Sequence, residues 1–294
     1  MRTASAGMGR TMAGTDLWGW KGLTIVGTGI RPGLQTTPEA KISIVQATKV
    51  LFSVDGLLAE EWLKRLNPSA ESLAPYYVAE RPRVEIYAAI VERVLTDLRR
   101  FRDVCLVFYG HPGVLVGPSH EVTLRARSEG FEVRMLPGVS ALDNLFSDLG
   151  VDPGVAGLQS YECTGFLRDR PRFDPAVPLV LWQIGVVGQR VWDPQSRPEA
   201  GVLRSLRDHL QNFYPPEHAV VLYEAPVAPF AVAKVISGDI SDIPEMATSN
   251  ASTLYIPPLP RPASDHRLPA AMSPRREGSA STPPSSESVS LSYR

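Results

Sequence analysis

Cysteine is scarce in this chain, with two among 294 residues, Cys105 and Cys163. They lie far apart in apolar text, so they make no disulfide framework and read as small core residues of a protein in a reducing cytoplasm. Net charge is nearly absent, at −1 from 30 basic and 31 acidic residues. No overall basic field exists to collect nucleic acid or an anionic membrane, so neither is an expected partner. Long apolar runs are missing as well: none approaches the ~20 residues a spanning helix needs, and MRTASAGMGRTMAGTDLWGW at the start has no h-region. Residues 1–20 therefore read as a flexible extension rather than a signal peptide. The five histidines show no paired spacing and no nearby cysteine or carboxylate cluster, so no metal is expected. A G-x-S-x-G elbow is also missing, which leaves a serine hydrolase without support.

What is present is an ordinary globular composition, 44% hydrophobic, with room for one large domain or two smaller ones. LTIVGTG is a strand ended by glycines, and TTPEAKISIVQAT has helical spacing at Ala40, Ile44, Val45 and Thr48. KVLFSVD is the next strand and LLAEEWLKRL a short helix, after which ESLAPYY leads into a long helix. VCLVFYG is a near-continuous apolar run, the pattern of a strand buried on both faces, and FEVRML is another strand. This βαβα rhythm predicts an open, mostly parallel sheet over residues 21–138, with ligands beyond the carboxyl ends of its strands. Ser140 with Asp143 reads as a helix N-cap opening a second α/β domain over 139–260, with strands at VPLVLWQIGVVG, AVVLYEAP and STLYIPP and a helix at VLRSLRDHLQNFY. Residues 261–294, rich in Ser, Pro and Arg, read as a disordered tail.

Two stretches carry candidate chemistry. VGTGIRPG runs from strand to glycines, but Gly27, Gly29 and Gly33 miss the dinucleotide spacing and Pro32 stands where the helix should begin, so Asp55 as a ribose-binding acid is a weak reading. YYVAERPRVEIY places Arg81 and Arg83 at a helix start, electrostatically poor positions for cations. Ile86, Ile90, Val94 and Leu98 recur every four residues behind them, which predicts an amphipathic helix to about Arg100 with Arg83 and Tyr87 on one face. The plain alternative is a surface arginine packed flat on a tyrosine ring.

Taken together, VGTG, FYGHPGV, MLPGVSA and STLYIPP in this order and spacing resemble the tetrapyrrole-methylase superfamily. Within it, FYGHPGV, LPGVSA, WQIGVVG, YEAP and the YY-x5-R-x3-Y pattern are similar to the borosin α-N-methyltransferases, whereas GTGIRPG departs from the approximate GxGPGD of the porphyrinoid enzymes. The resemblance covers about Gly22 to Pro260. It implies an α/β fold of two tetrapyrrole-methylase domains with the cofactor cleft between them, S-adenosylmethionine as cofactor, and methylation of backbone amides of a ribosomal precursor peptide. The catalytic pattern falls on Arg83, Tyr87 and Tyr109 with Tyr77 beside them, and the cofactor pattern on Tyr109, His111, Val114, Ser140, Ala141, Gln183, Ala225, Ser252 and Thr253.

The chemistry suits those residue types. A peptide N–H is a far weaker acid than a phenol, so its methylation needs proton removal or stabilisation of the imidate. Arg83 favours the anionic form of a nearby tyrosine and can hold the carbonyl oxygen, while Tyr87 or Tyr77 takes the proton and Tyr109 orients donor or amide. Ser140 could instead merely cap its helix and His111 merely close a turn, while Gln183, read as an amide inside an apolar strand, demands partners. Fused members of the family end in their own apolar substrate; the polar, proline-rich tail here implies the split type. Its precursor peptide is then a separate chain, and a homodimer joins two precursor chains in a heterotetramer. The rivals are a methyltransferase of the same fold acting on a tetrapyrrole or other small molecule, and a catalytically silent peptide-binding scaffold.

Overall fold

The computed structural model describes residues 21–260, apart from 194, 196, 229 and 247. The expectations for residues 1–20 and 261–294 lie outside the described residues. One compact unit ends at Leu259 and contains two five-stranded sheets.

The first sheet is built from β1 (Gly22–Gly27), β2 (Lys49–Ser53), β3 (Ala70–Ser72), β4 (Asp103–Phe108) and β5 (Val133–Met135). Its order is β3-β2-β4-β1-β5 and every pairing is parallel. β1 and β4 are buried almost throughout because helices cover both faces. On one face lie α1 (Pro38–Gln46) and α2 (Leu57–Leu66), where Ala40, Ile44 and Leu63 meet Val26, Val50, Phe52, Cys105 and Val107. On the other lie α3 (Arg83–Arg100) and α4 (Gly117–Ser128), where Ile86, Ile90, Val94 and Leu98 meet Leu23, Ile25, Leu51 and Leu106. Each such side chain contributes about 1.5–3 kcal/mol of burial. The four-residue repeat of α3 is thus spent inside the chain's own core. Val45 of α1 is exposed, so that helix buries a narrower face than its spacing predicts.

The second half runs through α5 (Ala141–Leu149), α6 (Pro153–Ala156), β6 (Gln159–Glu162), α7 (Cys163–Asp169), β7 (Leu179–Trp182), α8 (Ala200–Leu210), β8 (Ala219–Glu224), β9 (Lys234–Asp239) and β10 (Thr253–Ile256). The sheet order is β6-β7-β10-β8-β9, parallel between β6 and β7 and antiparallel elsewhere. α5 opens on the expected cap: Ser140 Oγ accepts from the Leu142 and Asp143 N–H groups, and Asp143 Oδ2 accepts from Ser140 N. One expectation needs correcting. VPLVLWQIGVVG is a strand only over Leu179–Trp182; Gln183 then turns left-handed, with φ 58° and ψ 33°, and a 3-10 turn covers Ile184–Val186. The turn packs so tightly on Ser249 that a Cβ at Gly185 would lie 1.7 Å from the Ser249 carbonyl oxygen. Gln183 is therefore a half-buried loop residue, not part of the strand.

Candidate active site

Three strand ends of the first sheet converge on bare backbone. A Cβ at Gly27, closing β1, would lie 2.0 Å from the Gly110 carbonyl oxygen, and one at Gly138, beyond β5, would lie 2.8 Å from the same atom. Only glycine permits that approach. Around this junction stand Tyr109, His111 and Val114 from the β4 loop and Ser140 and Ala141 from the start of α5. His111 Nδ1 accepts from Gly113 N at 2.9 Å, so the ring does close a turn. Val114 is exposed and Ser140 buried.

The second sheet brings its own group to one end. Gln183 follows β7, Ala225 follows β8, and Ser252 and Thr253 open β10, which runs antiparallel between those two strands. Ser252 Oγ donates to Glu224 Oε1 at 2.6 Å and accepts from Ser249 N at 2.7 Å. Burial raises Glu224, but hydrogen bonds from Ser252 and Lys234 outweigh it and hold the carboxyl below its ordinary value. Trp182, Tyr223 and Tyr255 form one apolar cluster with Leu145 of α5, and Ala141 and Ala225 both pack against it. The two groups thus meet across α5. Tyr223 OH donates to Asp148 Oδ2 at 2.7 Å, fixing α5 to β8.

The aromatic and basic set lies at the head of α3. Tyr77 OH accepts from Ser53 Oγ at 3.2 Å, and Tyr109 N donates to Ser53 O at 3.2 Å, so one serine at the end of β2 joins the Tyr77 phenol to the Tyr109 backbone. Burial raises the Tyr77 phenol; the Ser53 bond lowers it, Tyr87 raises it and Arg83 lowers it, with a net upward shift. Burial, with Asp55 adding to it, pushes Tyr109 up to about 12. Both phenols are therefore neutral near pH 7. Arg83 does not lie on Tyr87: its Cζ sits 5.7 Å over the Trp192 ring, and its Nε is buried with no hydrogen-bond partner among the described residues. Trp192 also meets Tyr77 edge-on, with centroids 5.0 Å apart.

Beside Tyr109 opens a cavity of about 380 Å3, walled by Ile30, Pro32, Asp55, Leu57, Leu58, Trp62, Val227 and Ala228. Sequence reasoning gave no role to Ser53, Trp62, Trp192 or Glu224. Trp192, a tryptophan in a proline-rich polar stretch, was the one with a visible signal. Among the described residues no group of three or more His, Cys, Asp or Glu could hold a metal ion, and no helix is long and apolar enough to cross a membrane.

S-adenosylmethionine fits what is present. Glycine at 27 and 138 brings the loop backbones after β1, β4 and β5 together at Gly110, and the half-buried Gln183 side chain makes no hydrogen bond with a described residue, so its amide can meet an adenine edge.

A parallel sheet and a mixed sheet joined through α5, with loops that glycine keeps bare at the strand ends of the first, define an α/β protein of two five-stranded sheets. The chain belongs to the tetrapyrrole (corrin/porphyrin) methylases, whose family model matches residues 22–226. It is 40% identical over 250 residues to the methyltransferase/ribosomally synthesized cyclic peptide omphalotin A precursor of Omphalotus olearius, covering 83% of this chain and 59% of that one. It is 39% identical over 244 residues to the corresponding gymnopeptides precursor of Gymnopus fusipes, covering 80% and 57%. The chain thus spans less than two thirds of the length of these curated relatives. In fold it is similar to uroporphyrin-III C-methyltransferase from Thermus thermophilus, solved with S-adenosylhomocysteine, at a TM-score of 0.54 and 21% identity over 80% of this chain and 91% of that one.

Proposed function

We propose that this chain is an S-adenosylmethionine-dependent methyltransferase that methylates backbone amide nitrogens of a ribosomal precursor peptide supplied as a separate chain. The observation that carries the reading is the Arg83 Nε–H group, buried without an acceptor among the described residues beside Tyr77. A buried donor left unpaired costs about 1–3 kcal/mol. An arriving carbonyl oxygen relieves that cost. As the amide nitrogen gives up its proton, negative charge gathers on that oxygen, where the fixed guanidinium is most useful. Tyr77 and Tyr109, neutral in the free chain, can donate hydrogen bonds to the substrate, and Tyr87 or Tyr77 takes the amide proton once it has released its own phenolic proton to water.

S-adenosylmethionine, when bound, supplies an electrophilic methyl group on its sulfonium. Tyr109, His111, Val114, Ser140, Ala141, Gln183, Ala225, Ser252 and Thr253 would hold it. The names of the curated relatives, each a methyltransferase joined to a peptide precursor, support a peptide substrate. We read the working form as a homodimer carrying two precursor chains, on the resemblance alone, because the apolar face of α3 is already covered by its own core.

The test is mass spectrometry of the peptide encoded beside the enzyme gene after incubation with protein and S-adenosylmethionine. The expected result is steps of about 14 Da, the replacement of one hydrogen by methyl, on backbone nitrogens, which every residue but proline carries. A parallel assay with uroporphyrinogen tests the second reading, a tetrapyrrole substrate, which the family assignment favours. Methylation of uroporphyrinogen and of no peptide would replace the first reading with the second. Methyl groups found within Ser285 to Arg294 of the enzyme itself would make the chain its own substrate.

A further inference from the structure

The strap from Arg190 to Trp192 belongs to none of the motifs from which the site was read, yet it is bonded along the approach to α3. Glu80 N donates to Trp192 O at 2.8 Å, Trp192 N to Arg81 O at 2.8 Å, and Arg83 N to Arg190 O at 3.1 Å. Pro82 and Val191 face each other between them as an isolated antiparallel bridge. α3 has no side-chain cap, so the strap satisfies an N–H group that a helix start leaves unpaired. It also holds Glu80 at φ 62°, a conformation a non-glycine residue keeps only when its surroundings impose it.

The side chain of Trp192 then organises what the strap has delivered. Arg83 stands at the head of a helix whose dipole opposes a cation, and no described carboxylate pairs with it. The indole face beneath its Cζ, at 5.7 Å, is the contact that compensates. The same ring meets Tyr77 at an interplanar angle of 62°. One indole therefore touches both the proposed oxyanion donor and a proposed proton carrier.

We propose that Trp192 is a positioning residue: its ring fixes the Arg83 guanidinium relative to the Tyr77 phenol, from a strap that leaves the second sheet just past Gln183. This rests on the peptide-methylation reading for its chemical purpose, though not for its geometry. Loss of the ring leaves both groups in place in sequence but free to turn, and a misplaced group costs rate rather than affinity.

The full chain with Trp192→Ala and Trp192→Phe tests it in two ways. In the single-turnover assay with the peptide encoded beside the gene, Trp192→Ala should lower the rate at saturating peptide by tenfold or more. S-adenosylmethionine affinity by calorimetry should stay within twofold, and Trp192→Phe should recover the rate to within threefold of wild type. A wild-type rate in folded Trp192→Ala, or a loss that phenylalanine does not restore, would overturn the proposal. The second readout needs no activity: in protein labelled with 15N-arginine, the Nε–H resonance that disappears in Arg83→Lys should shift in Trp192→Ala and stay near its place in Trp192→Phe. An unmoved resonance in Trp192→Ala sinks the proposal even if the wild type methylates peptide. A shifted one supports it even if no peptide is methylated, so the two readings fail separately.

Discussion

The Gln35 side chain donates from Nε2 to Asn144 Oδ1 at 2.8 Å, joining the loop after β1 to the helix that leads into the second sheet. Its other end, Oε1, accepts from the Ile30 and Arg31 N–H groups at 3.0 Å each. One amide thus shapes the loop that walls the cavity and ties it to α5.

Gln35→Ala should destabilise the protein by about 1–3 kcal/mol, since it strands two backbone donors and one buried amide. Urea unfolding followed by circular dichroism measures this. A variant with wild-type stability would show that the loop keeps its shape by other means.

At the glycine junction the neighbours are backbone atoms, which cannot swing away. Gly27→Ala, with its Cβ 2.0 Å from the Gly110 carbonyl oxygen and 2.9 Å from Pro112 Cδ, should cost at least about 3 kcal/mol or prevent folding. Gly201→Ala is the contrast: in α8, with only the end of the Arg204 side chain at 3.9 Å, it should stabilise by about 0.5–1 kcal/mol. Thermal melts of the pair check both signs.

Arg83→Lys, Tyr77→Phe, Tyr87→Phe and Tyr109→Phe should each lower methylation far more than stability. Lysine keeps the charge but loses the planar fork, so its rate should fall by about a hundredfold to a thousandfold, the order of one lost oxyanion donor. Wild-type single-turnover rates in all four folded variants would remove the proposed roles.

Away from the site, Glu71 takes a bidentate hydrogen bond from Arg93, at 2.7 Å on each oxygen, and another from Lys49 at 2.7 Å. Arg93 first and Lys49 second hold its carboxyl down at about 2, against an ordinary 4.5. A depressed folded value means the stabilisation is complete above about pH 4.5 and is lost as pH falls through about 2. The carboxylate is 45% exposed, so solvent screening reduces its worth to about 1 kcal/mol. The advantage of wild type over Glu71→Gln should therefore shrink between pH 5 and pH 2 in denaturant titrations. A difference independent of pH would contradict the pairing.

Much of the fold was legible locally. Four of the seven buried positions on α3, Ile86, Ile90, Val94 and Leu98, show in the four-residue spacing, and the Ser140–Asp143 box shows in two residue types three positions apart. β6 and β9 did not show, because both are edge strands with no fully buried residue, and a strand without a buried face leaves no alternation to read. Cofactor-pattern residues were named by motif, and the structure places Gln183, Ala225, Ser252 and Thr253 at one end of the second sheet. Gln183 reads as strand because Trp182 and Ile184 around it are apolar, while the left-handed turn it opens packs through Gly185 on Ser249, a residue far along the chain.

The sequence by itself determined the strand–helix alternation of the first sheet, the inward face of α3, the Ser140 cap and the bare loop at Gly110. Those follow from torsional preference and from burial periodicity within a few residues. Only the tertiary structure decided that Arg83 rests on Trp192 and not on Tyr87, that Ser53 joins Tyr77 to Tyr109, and that Gln35 reaches Asn144. Those contacts join segments whose meeting is set by sheet order and register. No local preference encodes where a distant strand will lie, so the side chains that share a site become neighbours only when the two sheets have packed.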